Sequence, residues 1–390
     1  MAETKSCTSC GRRYDDGAIF CPKDGSALLP ISAIGARSIE AGKDPLVGRV
    51  ILGQFEIRAL IGAGAMGRVY RAHQQGMDRD VAVKILHKDL AQNSDIVARF
   101  LREAKVASKL VHPHLVNVLL AGQLEDGTMY LVMEHLDGVS LQSALMAAGG
   151  MLSVPRAMHI GVQICDAIGE AHQAGIIHRD VKPENVMLIR RGDDDDFVKV
   201  LDFGVARLGA REAGAIETQA GLVFGTARYL SPEGARGEPA GPASDVYAIA
   251  TVIYQCLAGR TPFEHESAVS LLVAQIHDAP PPIRAHSRGA STPAPIERAI
   301  MHNLAKDSGR RDVDAHAFGQ ALLHAAGESG LSVDDLIARP SMARRKSAPS
   351  GATPMPRPVS MAEIAASTPG FAQPVRLDRT ADDLPSPTQS

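Results

Sequence analysis

One stretch near the middle of the chain limits the fold and the chemistry more than any other. It reads Ile177-His178-Arg179-Asp180-Val181-Lys182-Pro183-Glu184-Asn185, and Asp202-Phe203-Gly204 follows after an apolar, strand-like segment. The first stretch offers a carboxylate, an ammonium and a carboxamide within six residues. A carboxylate can orient a hydroxyl and accept its proton, and an ammonium can stabilise the charge on a moving phosphoryl group. Asn185 and Asp202 add oxygen ligands of the kind that magnesium prefers.

A glycine-rich segment upstream predicts a phosphate-binding hairpin. Alternating apolar residues at 55–61 predict a strand, which runs into Gly62, Gly64 and Gly67. Because they lack a Cβ atom, glycines at this spacing let backbone N–H groups approach phosphate oxygens closely. A dinucleotide-binding fold would continue with a helix. This sequence continues with Val69 and further strand-like residues, which argues against that fold.

The following strand carries a lysine among apolar residues. The run Val81-Ala82-Val83-Lys84-Ile85-Leu86 places Lys84 on the same face as Ala82, because side chains alternate along a strand. Such a lysine is more often an edge or surface residue, but its position seventeen residues after the last glycine favours contact with the α- and β-phosphates. The helical pattern at 100–110 supplies Glu103 as its partner, and breaking this pair would leave a charge stranded in the cleft.

Residues 1–30 predict a zinc-ribbon-like segment. Cys7 and Cys10 are spaced to present both thiolates to one zinc ion, and Cys21 would add a third ligand. Asp24 stands where a fourth cysteine is expected, and a carboxylate oxygen is an acceptable zinc ligand. The alternative is a degenerate ribbon that no longer holds metal. Zinc binding is favoured, because a segment this short needs a bound metal ion to stabilise its fold.

Composition and patterning divide the rest of the chain and exclude other classes of protein. We expect a linker at 31–53, one domain at 54–330, and a disordered tail rich in Pro, Ser and Ala at 331–390. The net charge of -3 gives no reason to expect nucleic-acid binding. The chain shows neither a signal-peptide pattern nor a long apolar run, so we expect no membrane span and a cytoplasmic location.

Two further features have plain interpretations. Cys165 and Cys256 lie within apolar helical patterns, which predicts buried free thiols. The four adjacent aspartates at 193–196 could suggest a metal site. A solvated hairpin turn is favoured instead, because like charges repel unless further ligands help to hold a cation.

Residues 54–330 resemble the bacterial eukaryotic-like (Hanks-type) serine/threonine protein kinases. The resemblance rests on the His-Arg-Asp stretch with Lys182 and Asn185, on Asp202-Phe203-Gly204 and on the glycine-rich hairpin. It implies an α+β, bilobal protein-kinase fold, with a small antiparallel β-sheet lobe plus one helix and a larger, mainly helical lobe. It also implies ATP and Mg²⁺ as cofactors, bound between the lobes, and protein substrates as partners.

The resemblance assigns the catalytic roles residue by residue. Asp180 would orient the acceptor hydroxyl and take its proton, and Lys182 would stabilise the γ-phosphoryl group. Asn185 and Asp202 would hold magnesium. Because Lys182 is present, the acceptor implied by the family is Ser or Thr rather than Tyr.

The resemblance also implies a nucleotide pocket. Met133 would guard the space behind adenine, and backbone groups of Glu134 and Leu136 would bind the adenine edge. The residues implied to contact or position the nucleotide are Gly62, Ala63, Gly64, Gly67, Val69, Ala82, Lys84, Glu103, Met133, Glu134, Leu136 and Leu188.

The polar segment after the Asp-Phe-Gly motif stands where related kinases carry an activation loop. Thr218 lies where related bacterial kinases place an activating phosphothreonine, and Arg179 would pair with that phosphate. The alternative is an ordinary exposed threonine of the loop. Autophosphorylation would make the chain its own partner. We also expect Asp245 to accept N–H bonds from the catalytic loop. Arg311, or alternatively Arg310, is expected to pair with Glu233.

Two other functions are weighed against protein phosphorylation. A pseudokinase scaffold would bind partners through the Cys-rich head and the tail without transferring phosphate. Its signal would be the loss of Lys84, Asp180 or Asp202, and all three are present. A small-molecule phosphotransferase of similar fold would not need the long segment that ends in Ser231-Pro232-Glu233, which builds a platform for a polypeptide.

Overall fold

The computed structural model describes residues 5–7, 13–14, 28–30, 44–64, 67–88, 94–201, 227–265, 267–332 and 336, without the side chains of residues 5–30 and of residues 94–96, 99, 103 and 106. Near the N-terminus, the strands β1 (Lys5–Cys7), β2 (Arg13–Tyr14) and β3 (Leu28–Pro30) form an antiparallel sheet in the order β2-β1-β3. Cys7 lies in β1, but Cys10, Cys21 and Asp24 lie outside the described residues. The zinc site therefore stays a prediction.

The small lobe combines a six-stranded antiparallel sheet with a helix. The strands are β4 (Val50–Ile51), β5 (Phe55–Gly64), β6 (Gly67–Gln74), β7 (Arg79–Leu86), β8 (Val118–Gln123) and β9 (Met129–Glu134), in the order β4-β5-β6-β7-β9-β8. The helix is α1 (Ser94–Ala107). The predicted alternation along β7 is confirmed, because Val81, Val83 and Ile85 pack in one cluster while Ala82 packs with Phe100 of α1 in another.

The large lobe is mainly helical. Its helices are α2 (Leu141–Ala147), α3 (Val154–Gln173), α4 (Pro232–Ala235), α5 (Pro242–Ala258), α6 (Ala268–His277), α7 (Ala294–Asn303) and α8 (Ala315–Glu328). Its small sheet is formed by β10 (Gly138–Ser140), β11 (Val186–Arg191) and β12 (Asp194–Val200), in the order β10-β11-β12. The two lobes agree with the bilobal α+β fold expected from the sequence.

Helix α5 forms the centre of the large-lobe core. It is buried along nearly its whole length, in line with its largely apolar sequence, and it packs with α3. Cys165 of α3 and Cys256 of α5 are buried free thiols in this core, which confirms the prediction. None of the helices in the described ranges is long and apolar enough to cross a membrane.

The prediction that the aspartates at 193–196 form a solvated hairpin turn is wrong in part. The turn takes Asp193, whereas Asp194 and Asp196 belong to β12. Arg156 of α3 donates two hydrogen bonds to Asp196, at 2.8 and 2.7 Å, and the His159 ring lies 3.1 Å from Asp194. The reason is the period of a strand, because residues two apart in β12 point to the same side and meet α3.

Candidate active site

The catalytic loop, residues 176–185, runs from the end of α3 to β11 and is fixed by a buried histidine. His178 has no exposed surface, and its Nε2 atom lies 2.8 Å from the carbonyl oxygen of Leu201. The backbone N–H of Asp180 donates to its Nδ1 atom at 3.3 Å. Because a carbonyl oxygen only accepts, Nε2 must carry the ring proton. The histidine thus joins the catalytic loop to the residue that precedes Asp202.

The predicted catalytic side chains of this loop meet one another. Lys182 Nζ lies 2.8 Å from Asp180 Oδ2, and Asn185 Nδ2 donates to the carbonyl oxygen of Asp180 at 2.8 Å and to its Oδ2 at 2.9 Å. Both side-chain contacts use Oδ2, so Oδ1 is the carboxylate oxygen left to accept a proton from a hydroxyl. The two hydrogen bonds use both N–H groups of Asn185 and leave its Oδ1 atom for a cation.

One predicted magnesium ligand, Asn185, is joined by its backbone to Leu201 at the end of the described segment. The N–H of Leu201 donates to the carbonyl oxygen of Asn185 at 2.8 Å. The next residue, Asp202, lies outside the described residues. A carboxamide and a carboxylate oxygen suit magnesium, so the residue types present at this junction fit the ion.

Asp245, at the start of α5, anchors the catalytic loop. Its side chain is 1% exposed and accepts hydrogen bonds from the N–H of His178 at 2.7 Å and of Arg179 at 2.8 Å, as predicted. His172 Nε2 donates to the same carboxylate at 3.0 Å, because its Nδ1 accepts from the N–H of Ala315 at 3.3 Å. Arg179 has a left-handed backbone, with φ of 66°. Its N–H bond to Asp245 helps to hold this strained conformation.

The glycine hairpin, formed by β5 and β6, contains two kinds of glycine. Gly64 pairs with Gly67 at its end, and the tip residues 65–66 lie outside the described residues. A Cβ atom on Gly64 would meet nothing within 4 Å among the described residues, whereas a Cβ atom on Gly67 would overlap the carbonyl oxygen of Ile85 in β7. Gly64 therefore leaves space for a ligand, and Gly67 is also required by the packing of β6 on β7.

The predicted adenine side of the cleft is apolar. One cluster, on the face of the sheet that bears α1, brings together Val69, Ala82, Met133 and Leu136. Lys84 lies two residues beyond Ala82 in β7, so its side chain leaves the strand on the same face. Leu188 is buried in the large-lobe core and does not belong to this cluster of described residues.

Some predicted site residues are not described. Thr218, like Asp202, belongs to 202–226, which lies outside the described residues. Glu103 lies in α1, but its side chain is not described. Its pair with Lys84 and the role of Thr218 therefore stay predictions.

Comparison with known proteins identifies the family of this chain. The family model described as the protein kinase domain matches residues 55–337. The chain belongs to the protein kinase family. It is 39% identical over 349 residues to serine/threonine-protein kinase pkn3 of Myxococcus xanthus, covering 88% of this chain and 62% of that relative.

Two further proteins are similar to this chain over its kinase domain. Serine/threonine-protein kinase PrkC of Bacillus subtilis is 40% identical over 262 residues, which cover 67% of this chain and 39% of PrkC. The crystal structure of the Mycobacterium tuberculosis PknI kinase domain is similar with a TM-score of 0.57 at 26% identity, covering 72% of this chain and 100% of that one. The chain thus spans less than two thirds of the length of these curated relatives.

Sequence analysis missed an ion pair at the hinge of the kinase domain, the segment 134–138 that joins β9 of the small lobe to β10 of the large lobe. Lys199 of β12 is buried, and its Nζ atom donates to Glu134 Oε1 at 2.7 Å and to the carbonyl oxygen of Leu115 at 3.0 Å. Glu134 Oε1 also accepts from the N–H of Asn117 at 2.8 Å. The Glu134 side chain thus ties the end of β9 to the strand that leads to Asp202. The signal in the sequence was a lysine within an apolar strand.

The predicted ion pair between Arg311 and Glu233 is confirmed in the large lobe of the kinase domain. Two guanidinium nitrogens of Arg311 donate to the two carboxylate oxygens, each at 2.8 Å. The hydroxyl of Ser244 donates to the same carboxylate at 2.6 Å. Burial alone would raise the pKa of Glu233, but these hydrogen bonds lower it to about 2. The carboxylate is therefore ionised throughout the neutral range.

Proposed function

We propose that the chain is a serine/threonine protein kinase that transfers the γ-phosphate of Mg-ATP to Ser and Thr hydroxyls of protein substrates. The observation that carries this proposal is the contact of Lys182 and Asn185 with one oxygen of Asp180. In that arrangement the second carboxylate oxygen of Asp180, the ammonium group of Lys182 and the carboxamide oxygen of Asn185 lie close together. Residues 54–330 are the proposed catalytic domain.

In the proposed reaction Asp180 orients the acceptor hydroxyl and accepts its proton at Oδ1. Lys182, held beside the same carboxylate, places its positive charge next to the phosphoryl group during transfer. Catalysis of this kind depends on positioning and electrostatics more than on covalent chemistry. The hydrogen bonds that Asp245 accepts from the loop backbone supply that positioning.

The nucleotide would lie between the glycine hairpin and the hinge. Lys84, oriented by Glu103, would contact its α- and β-phosphates. Asn185 and Asp202 would hold Mg²⁺, which when bound neutralises charge on the phosphates. The open space beside Gly64 and the apolar cluster around Ala82 support this placement.

The test is phosphate transfer from labelled ATP in the presence of magnesium. Asp180→Asn should lower the transfer rate by about 10²–10⁴-fold, the usual contribution of a general base. Asp195→Asn is the matched control, because that carboxylate is 79% exposed and far from the chemistry in the hairpin of β11 and β12. Unchanged transfer in Asp180→Asn, or no transfer by a folded wild type that binds ATP, would contradict the proposal. The second outcome would favour a scaffold.

We propose Thr218 as a site of autophosphorylation. The support is its position in the sequence and the backbone of Arg179, which Asp245 holds in place beside Asp180. Mass spectrometry of the labelled product should find phosphate on Thr218. Full activity of Thr218→Ala with an unmodified loop would contradict this role.

We propose separately that the N-terminal segment binds one zinc ion. The ligands would be Cys7, Cys10, Cys21 and Asp24, and the short sheet that contains Cys7 is the kind of scaffold that a ribbon site uses. Elemental analysis of the purified chain should find zinc, and Cys10→Ser should lose it. A metal-free wild type purified without chelator would argue for a degenerate ribbon.

A further inference from the structure

A cavity of about 180 Å³ lies in the large lobe between α3 and α8. It is formed by residues other than those proposed to bind nucleotide or to catalyse. Among the residues that line it are His114, Val162, Asp166, His316, Gly319 and Leu323. A cavity of about 150 Å³ in another protein holds benzene, so this volume suits a small aromatic molecule.

Beside the cavity, α3 and α8 approach each other closely at two glycines. A Cβ atom on Gly169 would lie 2.5 Å from the ring of His316, and one on Gly319 would lie 3.0 Å from Cys165 Cβ. The two glycines therefore fix how closely the helices approach. Gly319 brings no side chain to the space between them, and the space stays open next to Val162.

His114 lines this cavity and carries a hydrogen-bond acceptor. It is 5% exposed, and its Nδ1 atom lies 3.0 Å from the carbonyl oxygen of Val198, so Nδ1 must carry the proton. Burial lowers the pKa of His114, which keeps the ring neutral and Nε2 an acceptor. No hydrogen-bond partner meets Nε2 within the part of the chain that the structure describes. A ligand N–H that enters the cavity can therefore donate a hydrogen bond to this nitrogen.

Asp166 adds a negative charge to the same cavity. His112 Nε2 lies 3.2 Å from its Oδ2 atom, and this hydrogen bond lowers the pKa of Asp166. The carboxylate is half exposed, so a ligand can reach it from solvent. A neutral acceptor, a carboxylate and the apolar walls at Val162 and Leu323 together favour a ligand that is flat, positively charged and rich in N–H groups.

Other occupants fit less well. No three His, Cys, Asp or Glu side chains are placed to hold a metal ion anywhere in the described ranges, although His114, Asp166 and His316 line the same cavity. A nucleotide is too large for this volume. Anions would meet the charge of Asp166.

The wall of the cavity is continuous with elements that shape the active site. The backbone of residues 114–116 forms hydrogen bonds with Val200 of β12 at 2.8 and 3.0 Å. The carbonyl oxygen of Leu115 accepts from Lys199, which also contacts Glu134 at the hinge. A ligand packed against this segment therefore contacts residues that are hydrogen-bonded to β12, the strand that leads to the Asp-Phe-Gly motif.

We propose that this cavity is an effector site for a small planar cation with N–H donors, such as an arylamidine, and that its occupancy changes phosphoryl transfer. The effect on transfer rests on the proposed kinase function, whereas binding does not.

The probe is benzamidine, titrated into the full chain saturated with a non-hydrolysable ATP analogue and magnesium. We expect the NMR signal of the His114 Nε2 nitrogen to shift as it accepts a hydrogen bond. Asp166→Asn should weaken binding about tenfold or more, the effect of losing a charge-assisted hydrogen bond. Leu323→Phe, which adds volume to the wall, should weaken it as well. Glu170→Gln, on the same helix but not lining the cavity, is the matched control and should bind as wild type does.

Several results would overturn the site: no shift of the His114 signal, equal affinity in wild type and Asp166→Asn, benzamidine binding that occurs only when the ATP analogue is left out, or a shift produced by zinc and not by benzamidine. The effector role is tested by the rate of transfer, which benzamidine should change in wild type and leave unchanged in Asp166→Asn. An unchanged wild-type rate would overturn that role. Binding is measured in Asp180→Asn too, so failure of the kinase proposal is distinguishable from failure of the site.

Discussion

The catalytic loop and the glycine hairpin are held in place by different kinds of interaction. The loop is fixed by buried polar side chains, above all by Asp245 and His178, each of which bonds two separate segments. The hairpin is fixed by backbone pairing and by the close approach of Gly67 to β7. The loop therefore depends on particular donors and acceptors, while the hairpin depends on the absence of a side chain.

This difference suits what each region is proposed to do. A general base must stay within hydrogen-bond reach of one hydroxyl, so its loop gains from groups that define a single geometry. A hairpin that covers phosphates binds them through backbone N–H groups, which need space more than particular side chains. Removing one acceptor should thus damage the loop, and adding one methyl group should damage the hairpin.

The largest effect is expected from Asp245→Ala. It would leave donors of His178, Arg179 and His172 unpaired at a site that is 1% exposed, so we expect a loss of about 3–5 kcal/mol in the free energy of unfolding and a large fall in the transfer rate. Urea denaturation and the labelled-ATP assay measure the two losses. Asp195→Ala, at a 79% exposed carboxylate, should stay within about 0.5 kcal/mol of wild type. A loss below about 1 kcal/mol in Asp245→Ala would contradict the polar account of the loop.

A smaller effect is expected from lowering the pH, because it protonates Glu233. The carboxylate of this residue is another buried polar group of the large lobe. Its pKa is about 2 in the folded chain against 4.5 for the free group. The unfolded chain binds the proton more readily, so this stabilisation is complete above pH 4.5 and is lost as the pH falls towards 2. It amounts to about 3 kcal/mol. Denaturation of wild type and Glu233→Gln should therefore converge as the pH falls through this window, and curves that stay parallel would rule the pair out as the cause.

The polar interactions around the catalytic loop were also easier to predict from the sequence than the packing interactions were. Asp180, Lys182 and Asn185 lie within six residues, so their spacing alone indicates their chemistry. Asp245 and the pair of Arg311 with Glu233 were found through family positions. The pair of Lys199 with Glu134 was missed, because its members are 65 residues apart and meet only when the hinge and β12 come together.

The packing of strands and helices could likewise be predicted only in part. The alternation of residues along the chain predicted that Ala82 and Lys84 lie on the same face of β7. It could not show that Asp194 and Asp196 would face α3, nor that Gly67 would lie against the backbone of Ile85. Periodicity defines a face of an element, but only the tertiary fold decides which neighbour covers that face.

The smallest effect is expected from a pair of substitutions in the hairpin, Gly67→Ala and Gly64→Ala. In Gly67→Ala the new methyl group would overlap the carbonyl oxygen of Ile85, so we expect a loss of about 1–3 kcal/mol in unfolding free energy, the usual cost of overpacking. In Gly64→Ala the methyl group would meet nothing within 4 Å among the described residues, so stability should stay nearly unchanged while the KM for ATP rises. Thermal denaturation and ATP titration separate the two.

Equal losses of stability in the two variants would remove the distinction between the glycines. Gly67 would then not be a packing residue, and the hairpin would tolerate added volume by shifting away from β7. A rise in the KM for ATP in Gly67→Ala alone, with Gly64→Ala unchanged in both measurements, would mean that β6 and not the open end of the hairpin approaches the phosphates. The expected pattern, stability lost at Gly67 and nucleotide affinity lost at Gly64, would show that neighbouring glycines of one motif are required for different physical reasons.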